Sequence, residues 1–302
     1  MRDLRRASWY PRVNSARFTQ GRLGFLTQVL LYAGVIALCI GTLWSAGDLS
    51  LGRQPWANLL KTASDFMYPS FLDVWWGPKN LEFRSDDGTL LRVENRRVLE
   101  WEFLQAIGRA AWTTFQIATL GSLLGALFAL PFALLAARNL KAPALAAHTA
   151  RTVLSMFRAI HTLVFGLLLV GIVGLGPTAG ILAIALHSMG TYGKLLAETI
   201  ESLDMGAVDA TRATGAAAGQ VFFLSVWPAV LPQLVSHHLY VWEFNIRDST
   251  ILGLIGAGGL GLLISEAVSL FQWSRLSTLL LVVIAMVMAF DAMSRRIRAR
   301  LL

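Results

Sequence analysis

Several long, uninterrupted apolar runs restrict this chain to a narrow set of folds. About 20 residues of α-helix cross a bilayer core of about 30 Å, and the runs reach that length. The runs are also continuous, whereas the strands of a membrane β-barrel alternate over about ten residues. A mean hydropathy of +0.58 lies far above that of soluble domains. The sequence therefore predicts an all-α polytopic membrane protein.

The apolar runs indicate about six transmembrane helices. We place them at about 24–46, 107–137, 153–175, 178–197, 220–244 and 276–294. Arginines at positions 2, 5, 6, 12, 17 and 22 precede the first run and others follow the last, which predicts that both termini are cytoplasmic. The predicted organisation is a basic cytoplasmic N-terminus at 1–23, the first helix at 24–46, an extracellular segment at 47–106, a transmembrane core at 107–294 and a basic cytoplasmic tail at 295–302.

The 47–106 segment has a pattern of its own. It carries seven basic and nine acidic residues, which favours the outer side of the membrane. Ala57–Phe71 predicts an amphipathic helix that lies on the membrane and stops near Pro69. Leu81–Val93 predicts a small extracellular hairpin, because Asp87-Gly88 is a turn signal between two short alternating runs. The hairpin either helps to dock a delivery protein or is a solvated cap on the bundle.

Charge and motif content exclude several classes of protein. The net charge of +8 comes from basic residues beside the apolar runs, so it indicates membrane topology rather than nucleic-acid binding. The sequence contains no P-loop, and Gly256–Gly261 lies between spans rather than in a βαβ unit, so nucleotide binding is not predicted. Cys39 is the only cysteine, and the adjacent His237 and His238 point to different helix faces, so no metal site is predicted.

Two further classes of membrane protein are alternatives. An integral-membrane enzyme acting on lipid head groups requires a cluster of acid, base or nucleophile residues at one membrane face. An ion-driven secondary transporter predicts repeated halves and acidic residues at mid-membrane. The sequence shows no convincing pattern of either kind.

A polar, helical segment at 198–220 lies between the fourth and fifth predicted spans, on the cytoplasmic side. It has small residues on one side and a glycine that allows close backbone approach. A short helix of this kind suits insertion into a groove on another protein. For Asp209 the alternative is a plain charge at a helix N-terminus, which stabilises a helix by about 0.3–1 kcal/mol.

This segment resembles the cytoplasmic loop of ABC importer permeases, which reads E-A-A, three residues, G, nine residues and I-x-L-P. Here Asp209-Ala-Thr211 is followed at the same spacing by Gly215 and by Ser225-Val-Trp-Pro228. Asp replaces Glu, and Ser and Trp replace the two aliphatic residues. Asn245–Gly261 and Leu134–Asn139 narrow the resemblance to phosphonate importer permeases. The candidate coupling residues are Glu201, Asp204, Asp209, Ala210, Arg212, Gly215 and Pro228.

The resemblance implies a MetI-like ABC importer permease in the bacterial inner membrane. It also implies a dimer with a second copy or a related permease, two cytoplasmic ABC ATPase subunits and an external solute-binding protein. ATP and Mg would be bound by the ATPase partners, and this chain would hold no cofactor and no catalytic residue. The implied substrate is a phosphonate or a related phosphorus oxyanion. The alternative is another small solute, such as an amino acid, carried by the same fold.

Polar groups inside membrane spans are costly, so they are candidates for a substrate pathway. Histidines, hydroxyls and positive potential would lower the barrier for an anion, and a break in a glycine-rich helix could offer it backbone N–H groups. The alternative is that the arginines reach the interface and that each His or Thr bonds a nearby carbonyl. This chain has His161-Thr162 at the position where phosphonate importer permeases usually have Pro-Glu. The candidate pathway residues are Arg158, His161, His187, His237, Arg247, Ser249, Gly256, Gly258 and Gly259.

Overall fold

The computed structural model describes residues 15–47, 54–77, 80–85, 87, 89–140 and 142–301. The chain divides into two units, Met1–Leu60 and Lys61–Leu302, which are described separately. The arginines at positions 2, 5, 6 and 12 and Gly88 of the predicted hairpin turn lie outside the described residues. The predicted division of the chain into domains at 1–23, 24–46, 47–106, 107–294 and 295–302 stays a prediction.

The first unit contains one long helix, α1 (Ser15–Ala46). Its Phe25–Ala46 portion is long and apolar enough to cross a membrane, and it has no charged residue. The side chains of residues 25–46 are all exposed, as expected for a helix that meets lipid or another protein. A second helix, α2 (Pro55–Met67), begins in this unit and ends in the next.

The second unit begins with short elements. After α2 come a 3₁₀ turn, Ser70–Leu72, and one turn of helix, α3 (Asp73–Trp76). The predicted amphipathic helix therefore ends at Met67, two residues before Pro69. Strands β1 (Asn80–Arg84) and β2 (Leu90–Asn95) pair antiparallel, with Asn80 opposite Asn95. The predicted extracellular position of this pair stays a prediction.

A helical bundle forms the rest of the second unit. Its helices are α4 (Arg96–Ala136), α5 (Ala144–Ala159), α6 (Thr162–Val173), α7 (Pro177–Glu201), α8 (Met205–Ala213), α9 (Ala218–Val221), α10 (Trp227–Leu252), α11 (Leu260–Ser269) and α12 (Trp273–Leu301). A 3₁₀ turn follows α4, and π-helical turns at Phe222–Val226 and Gly253–Ala257 flank α10.

The described helices include fewer candidate membrane spans than the predicted six. Four are long and apolar enough: Phe25–Ala46, Arg96–Ala136, Ala218–Ala257 and Trp273–Arg300. The bent pair α5 and α6 raises the number to five if it counts as one span. Although α7 has 25 residues and was expected to span at 178–197, it is not among these helices. Much of α7 is buried by its neighbours, and its sequence mixes small and polar residues with the apolar ones, so it lacks the uniformly apolar character of a lipid-facing span.

The predicted span at 153–175 is broken in the structure. The α5 and α6 axes meet at 89°, and Ile160 and His161 between them have extended backbones. The ring of His161 caps α6 by accepting a hydrogen bond from the N–H of Leu163 (3.2 Å). Thr162 at the first position of α6 donates to the carboxylate of Asp248 (2.7 Å). These two polar contacts hold the break, which contains neither proline nor glycine.

Small residues bring α4 and α7 together at the centre of the bundle. A Cβ added at Gly121 would lie 2.7 Å from Cβ of Ile184, and one added at Gly125 would lie 2.7 Å from Cβ of Ser188. Helices in lipid associate through close van der Waals packing rather than through the hydrophobic effect, so small residues four apart favour such contacts. The pair forms the axis around which α5, α6 and α10 pack.

The two ends of α4 mark the two ends of the bundle. At about 1.5 Å per residue, its 41 residues extend about 60 Å, roughly twice the bilayer core. Its N-terminal end lies beside the start of α12, where Arg275 pairs with Glu100 (3.1 Å). Its C-terminal end lies beside the end of α7, where the backbone N–H of Arg138 donates to Glu201 (3.0 Å).

Candidate functional site

The 198–220 segment lies at the C-terminal end of α4 and α7. It consists of the last turn of α7, a short turn, the nine-residue helix α8 and the start of α9. Asp204 caps α8 by accepting a hydrogen bond from the N–H of Gly206 (2.9 Å). Asn139 donates to the carbonyl of Ile200 (2.5 Å), which fixes the turn to the end of α4. The segment is therefore a defined helix-turn element rather than a loose loop.

One side of α8 is anchored in the bundle. Val208 is only 2% exposed and packs in the cluster that contains Val221 and Val226. The hydroxyls of Thr211 and Ser225 share a hydrogen bond of 2.6 Å, which joins α8 to the π-helical turn before α10. These contacts join α8 to the start of α10.

The other side of α8 is exposed and made of small and charged residues. Asp209 and Arg212 form an exposed ion pair (3.2 Å), and Ala210 lies between them in sequence. Gly215 ends the helix with φ of +81°, a conformation that favours glycine, and none of the described residues would contact a Cβ added there. Apart from the Asp209–Arg212 ion pair, this face carries small residues such as Ala210 and Gly215.

The other predicted coupling residues have structural contacts. Glu201 caps the 3₁₀ turn at Arg138–Leu140 rather than pointing away from the bundle. Pro228 is exposed in the first turn of α10. Because proline lacks the N–H that would bond the carbonyl four residues earlier, it fits the end of the π-helical turn at Phe222–Val226. The proline of the family pattern, Pro228, therefore lies where the π-helical turn meets α10, beside α8.

A buried polar group lies where α4, α7 and α10 meet, and we call it the central polar cluster (Ser122, Thr162, Ser188, Asn245 and Asp248). The amide of Asn245 donates to the hydroxyls of Ser122 (2.7 Å) and Ser188 (2.8 Å). Asn245 is 1% exposed, yet its Oδ1 has no hydrogen-bond partner within the described part of the chain. A buried acceptor without a donor costs about 1–3 kcal/mol, so such a group calls for a functional or structural reason.

A cleft of about 200 Å³ opens beside this cluster, between α7 and α10. His187, Thr191, Tyr240 and Asn245 supply its polar groups. Nδ1 of His187 lies 2.9 Å from the carbonyl of Ile160. A carbonyl only accepts, so Nδ1 donates there and Nε2 is left for another partner. The cleft therefore combines a hydroxyl, a phenol and an imidazole in a small volume.

The structure brings together only some of the predicted pathway residues. The rings of His161 and His187 lie 6.4 Å apart, near the break between α5 and α6. His237 lies elsewhere, with Nε2 3.2 Å from the hydroxyl of Thr199 near the end of α7. Arg158 is exposed in the last turn of α5, and Ser249 is buried and donates to the carbonyl of Ile246 (2.8 Å).

Arg247 belongs to an ion-pair group on α10, and its guanidinium carbon lies 5.8 Å from the ring centroid of Phe244, which lines the cleft. Arg247 lies 3.1 Å from Glu243, which also lies 3.5 Å from Arg298 of α12. Glu243 is thus held by two guanidinium groups, and both arginines have an ionic partner. Arg247 does not itself line the cleft but contacts Phe244, which does, and its role in the pathway stays a prediction.

The glycine-rich stretch after α10 is a tight non-helical turn. Gly256, Gly258 and Gly259 have φ of +98°, +86° and +70°. The carbonyl of Gly256 accepts from the N–H of Gly176 (3.0 Å), and the N–H of Leu260 donates to the hydroxyl of Thr114 (2.8 Å). An interrupted helix was expected here, but the N–H of Leu260 is occupied by Thr114 instead of being free for an anion.

Sequence reasoning missed most of the central polar cluster. In the sequence, Asn245 and Asp248 belong to the stretch that resembles phosphonate importer permeases, and Ser122 and Ser188 are not among the candidate pathway residues. A usable signal was present, because Asn245 and Asp248 are three residues apart and so share one face of α10. Polar and ionisable residues on one face of a span are functional candidates.

A polytopic helical bundle with a short, exposed helix at one end and a buried polar cluster at its centre fits a membrane transport subunit. The chain belongs to the family of binding-protein-dependent transport system inner membrane components, whose profile matches residues 129–302. The predicted MetI-like ABC permease class is confirmed, and the chain is a multi-pass permease subunit rather than an enzyme.

Known proteins agree with this assignment. A putative phosphite transport system permease protein, HtxC, of Stutzerimonas stutzeri is 36% identical over 247 residues, which are 78% of this chain and 85% of HtxC. The phosphate-import permease protein PhnE of Mycolicibacterium smegmatis is 34% identical over 192 residues, 64% of this chain and 36% of PhnE. A crystal structure of the inward-facing MetNI methionine ABC transporter matches with a TM-score of 0.60 and 20% identity, over 67% of this chain and 98% of that chain, which shows the shared fold.

Proposed function

We propose that this chain imports a phosphorus oxyanion, such as phosphite, phosphate or a phosphonate, through the cleft between α7 and α10. The observation that carries the proposal is the 36% identity to a putative phosphite permease over 78% of the chain. The cleft supports it, because a tetrahedral oxyanion is small enough for about 200 Å³ and requires several hydrogen-bond donors.

The polar groups of the cleft suit a partly protonated oxyanion. The hydroxyls of Thr191 and Tyr240 can donate to phosphorus-bound oxygens. Oδ1 of Asn245 can accept a P–OH proton, which gives this buried acceptor a donor. Because Nδ1 of His187 donates to Ile160, Nε2 is left as an acceptor for such a proton. None of these groups is a fixed cation, so the anion is stabilised without being held tightly.

The coupling mechanism that we propose runs from α8 to the central polar cluster. Partner ABC ATPases bind ATP and Mg and receive the exposed face of α8 in a groove. Their closure displaces α8, and the contacts of Val208 and Thr211 pass that displacement to α10. Because α10 is a continuous helix from Trp227 to Leu252, it carries the motion to Asn245 as a rigid body.

The proposal includes a full importer around this chain. A second copy or a related permease completes the pathway, and an external solute-binding protein delivers the substrate. Both termini and α8 face the cytoplasm in this arrangement, and the N-terminal end of α4 faces outward. The exposed apolar side chains of α1 and of the bundle contact membrane lipid.

Uptake by cells that express the chain with its ATPase and binding protein tests the substrate. Labelled phosphite, phosphate, a phosphonate and methionine are compared. We expect entry of at least one phosphorus compound and no entry of methionine. Entry of methionine alone would contradict the oxyanion assignment.

A pair of histidine variants tests the cleft in the same assay. His187→Gln removes the ionisable ring, and we expect uptake at low substrate to fall about tenfold, as for loss of a hydrogen bond to a charged group. His148→Gln is the control, because His148 is exposed on α5 and does not line the cleft. Unchanged uptake by His187→Gln would remove His187 from the pathway.

A further inference from the structure

A second cleft, of about 590 Å³, lies at the opposite end of the bundle from α8. It is formed by the end of α2, the first turn of α4 and the turn between α11 and α12. Since α4 is about twice as long as the bilayer core is thick, its first turns extend beyond the hydrocarbon region. A water-soluble protein therefore has access to this cleft.

The cleft is lined by three carboxylates and two guanidinium groups, so it carries a net negative charge. Arg96 pairs with Asp73, and Arg275 pairs with Glu100 at 3.1 Å. Arg275 also stacks over the ring of Phe103, with its guanidinium carbon 4.7 Å from the ring centroid. Both cations thus have anionic partners. Asp65, which is exposed, has no ion-pair partner among the residues that the structure describes.

Glu100 provides the second observation. It is 6% exposed, and only Oε1 contacts Arg275. Its Oε2 is buried and lacks a hydrogen-bond donor from any described residue. A buried carboxylate oxygen without a donor is costly, and a group with N–H donors would relieve that cost. Because the cleft also carries a net negative charge, it favours an ammonium or guanidinium group among such donors.

The rim of the cleft is aromatic. Phe271 is 73% exposed and has φ of +55°, an unfavourable conformation for a bulky residue. Hydrogen bonds from Phe271 N–H to Val268 and from Gln272 N–H to Ala267 hold the turn that presents this ring. Aromatic side chains around a desolvated charge are typical of the residues that dominate protein interfaces.

We infer that this cleft binds a lysine or arginine side chain of the solute-binding protein, which inserts between Asp65 and Glu100 while the partner's apolar surface covers Phe271. The inference rests on the proposed function, because only in that orientation does the cleft face outward. The charge of the cleft favours a basic side chain, and its position at the end opposite α8 favours the partner that delivers substrate.

Binding of the purified solute-binding protein to the complete transporter in nanodiscs tests the inference. Glu100→Gln and Asp65→Lys each remove or oppose the negative charge. We expect Glu100→Gln to weaken the affinity about tenfold, because it removes a buried charge partner, and Asp65→Lys to weaken it about as much, because it places a like charge opposite the inserted cation. Glu102→Gln is the matched control, because Glu102 is an exposed carboxylate on the same turn of α4 and does not line the cleft. It should bind within about twofold of the unmodified protein.

The two charge variants separate a docking role from a folding role. If Glu100→Gln lowers both the melting temperature and the affinity while Asp65→Lys binds normally, the cleft is structural and the inference is wrong. Equal affinity of the solute-binding protein for all variants also contradicts the inference. So does an affinity loss that is seen only in nanodiscs containing phosphatidylethanolamine, because that result would identify a lipid amine as the occupant of the cleft.

The wild-type transporter separates failure of the cleft assignment from failure of the proposed function. If the wild type binds the solute-binding protein and imports substrate while the variants bind equally, only the cleft assignment fails. If the wild type does neither, the proposed function fails.

Discussion

Gly259 shows how a single residue fixes the turn at the end of α10. A Cβ at this position would lie 2.4 Å from the hydroxyl oxygen of Thr114, and the residue has φ of +70°. Thr114 also accepts the hydrogen bond from Leu260 that starts α11. A side chain at 259 therefore disturbs both the backbone and this hydrogen bond.

Gly259→Ala is expected to destabilise the protein by about 2 kcal/mol or more, since a left-handed conformation alone costs roughly 1–2 kcal/mol for an L-residue. The measurement is the melting temperature of the purified protein. Gly219→Ala is the control, because no described atom lies within 4 Å of an added Cβ there and its φ is not positive. Equal melting temperatures for the two variants would contradict the account of the turn.

At this scale the sequence predicted residue types better than contacts. The glycines at 256, 258 and 259 were expected to allow either close helix packing or an interrupted helix, and the structure has a break there. The partners of His161 and Asn245 were not predictable, because His161 caps a helix break whose position depends on packing and Asn245 bonds across helices. Predicted roles of individual coupling and pathway residues remain predictions.

Helix α8 is the element on which the coupling mechanism depends. Its buried contact is Val208, and its exposed contact surface is made of Asp209, Ala210 and Arg212. The anchoring side and the docking side are therefore separable by mutation.

Val208→Ala is expected to loosen α8 from the bundle without changing its exposed face. The loss of two buried methyl groups is worth about 1.6 kcal/mol before any cavity cost. We expect ATP hydrolysis to continue while substrate transported per ATP falls, measured in the reconstituted transporter. Val98→Ala, the same change at an exposed position of α4, is the control. An unchanged transport-to-hydrolysis ratio for Val208→Ala would argue against mechanical coupling through this contact.

Helix ends were predicted less well than helices. The second span was expected to begin at 107, but α4 begins at Arg96 because the side chain of Asn95 caps it by accepting from the N–H of Arg97 (3.1 Å). Charged residues such as Glu100 and Glu102 concealed this start from a hydropathy argument. The expected end of α7 near 197 also falls short, since the helix continues to Glu201. Hydropathy follows lipid exposure, whereas helix ends follow caps and packing.

At the scale of the whole molecule, the long helix α4 separates two regions of different chemistry. One end carries α8 with its small exposed residues, and the other carries the anionic cleft around Glu100. The central polar cluster lies between them, with residues on α4, α6, α7 and α10, and Ser225 joins α8 to the turn before α10. The polytopic helical class followed from the apolar runs alone. The burial of α7 did not, because a helix surrounded by protein is not distinguished by its sequence from a polar connecting segment.

Uptake of labelled phosphite by proteoliposomes that contain the permease, its ATPase and its binding protein tests the central claim most directly. Gly215→Trp places a bulky ring on the exposed end of α8, and Leu145→Trp places the same ring at an exposed site outside the 198–220 segment. We predict that uptake requires ATP, that Gly215→Trp abolishes it and that Leu145→Trp retains it. ATP-independent uptake, or full uptake by Gly215→Trp, would contradict the account.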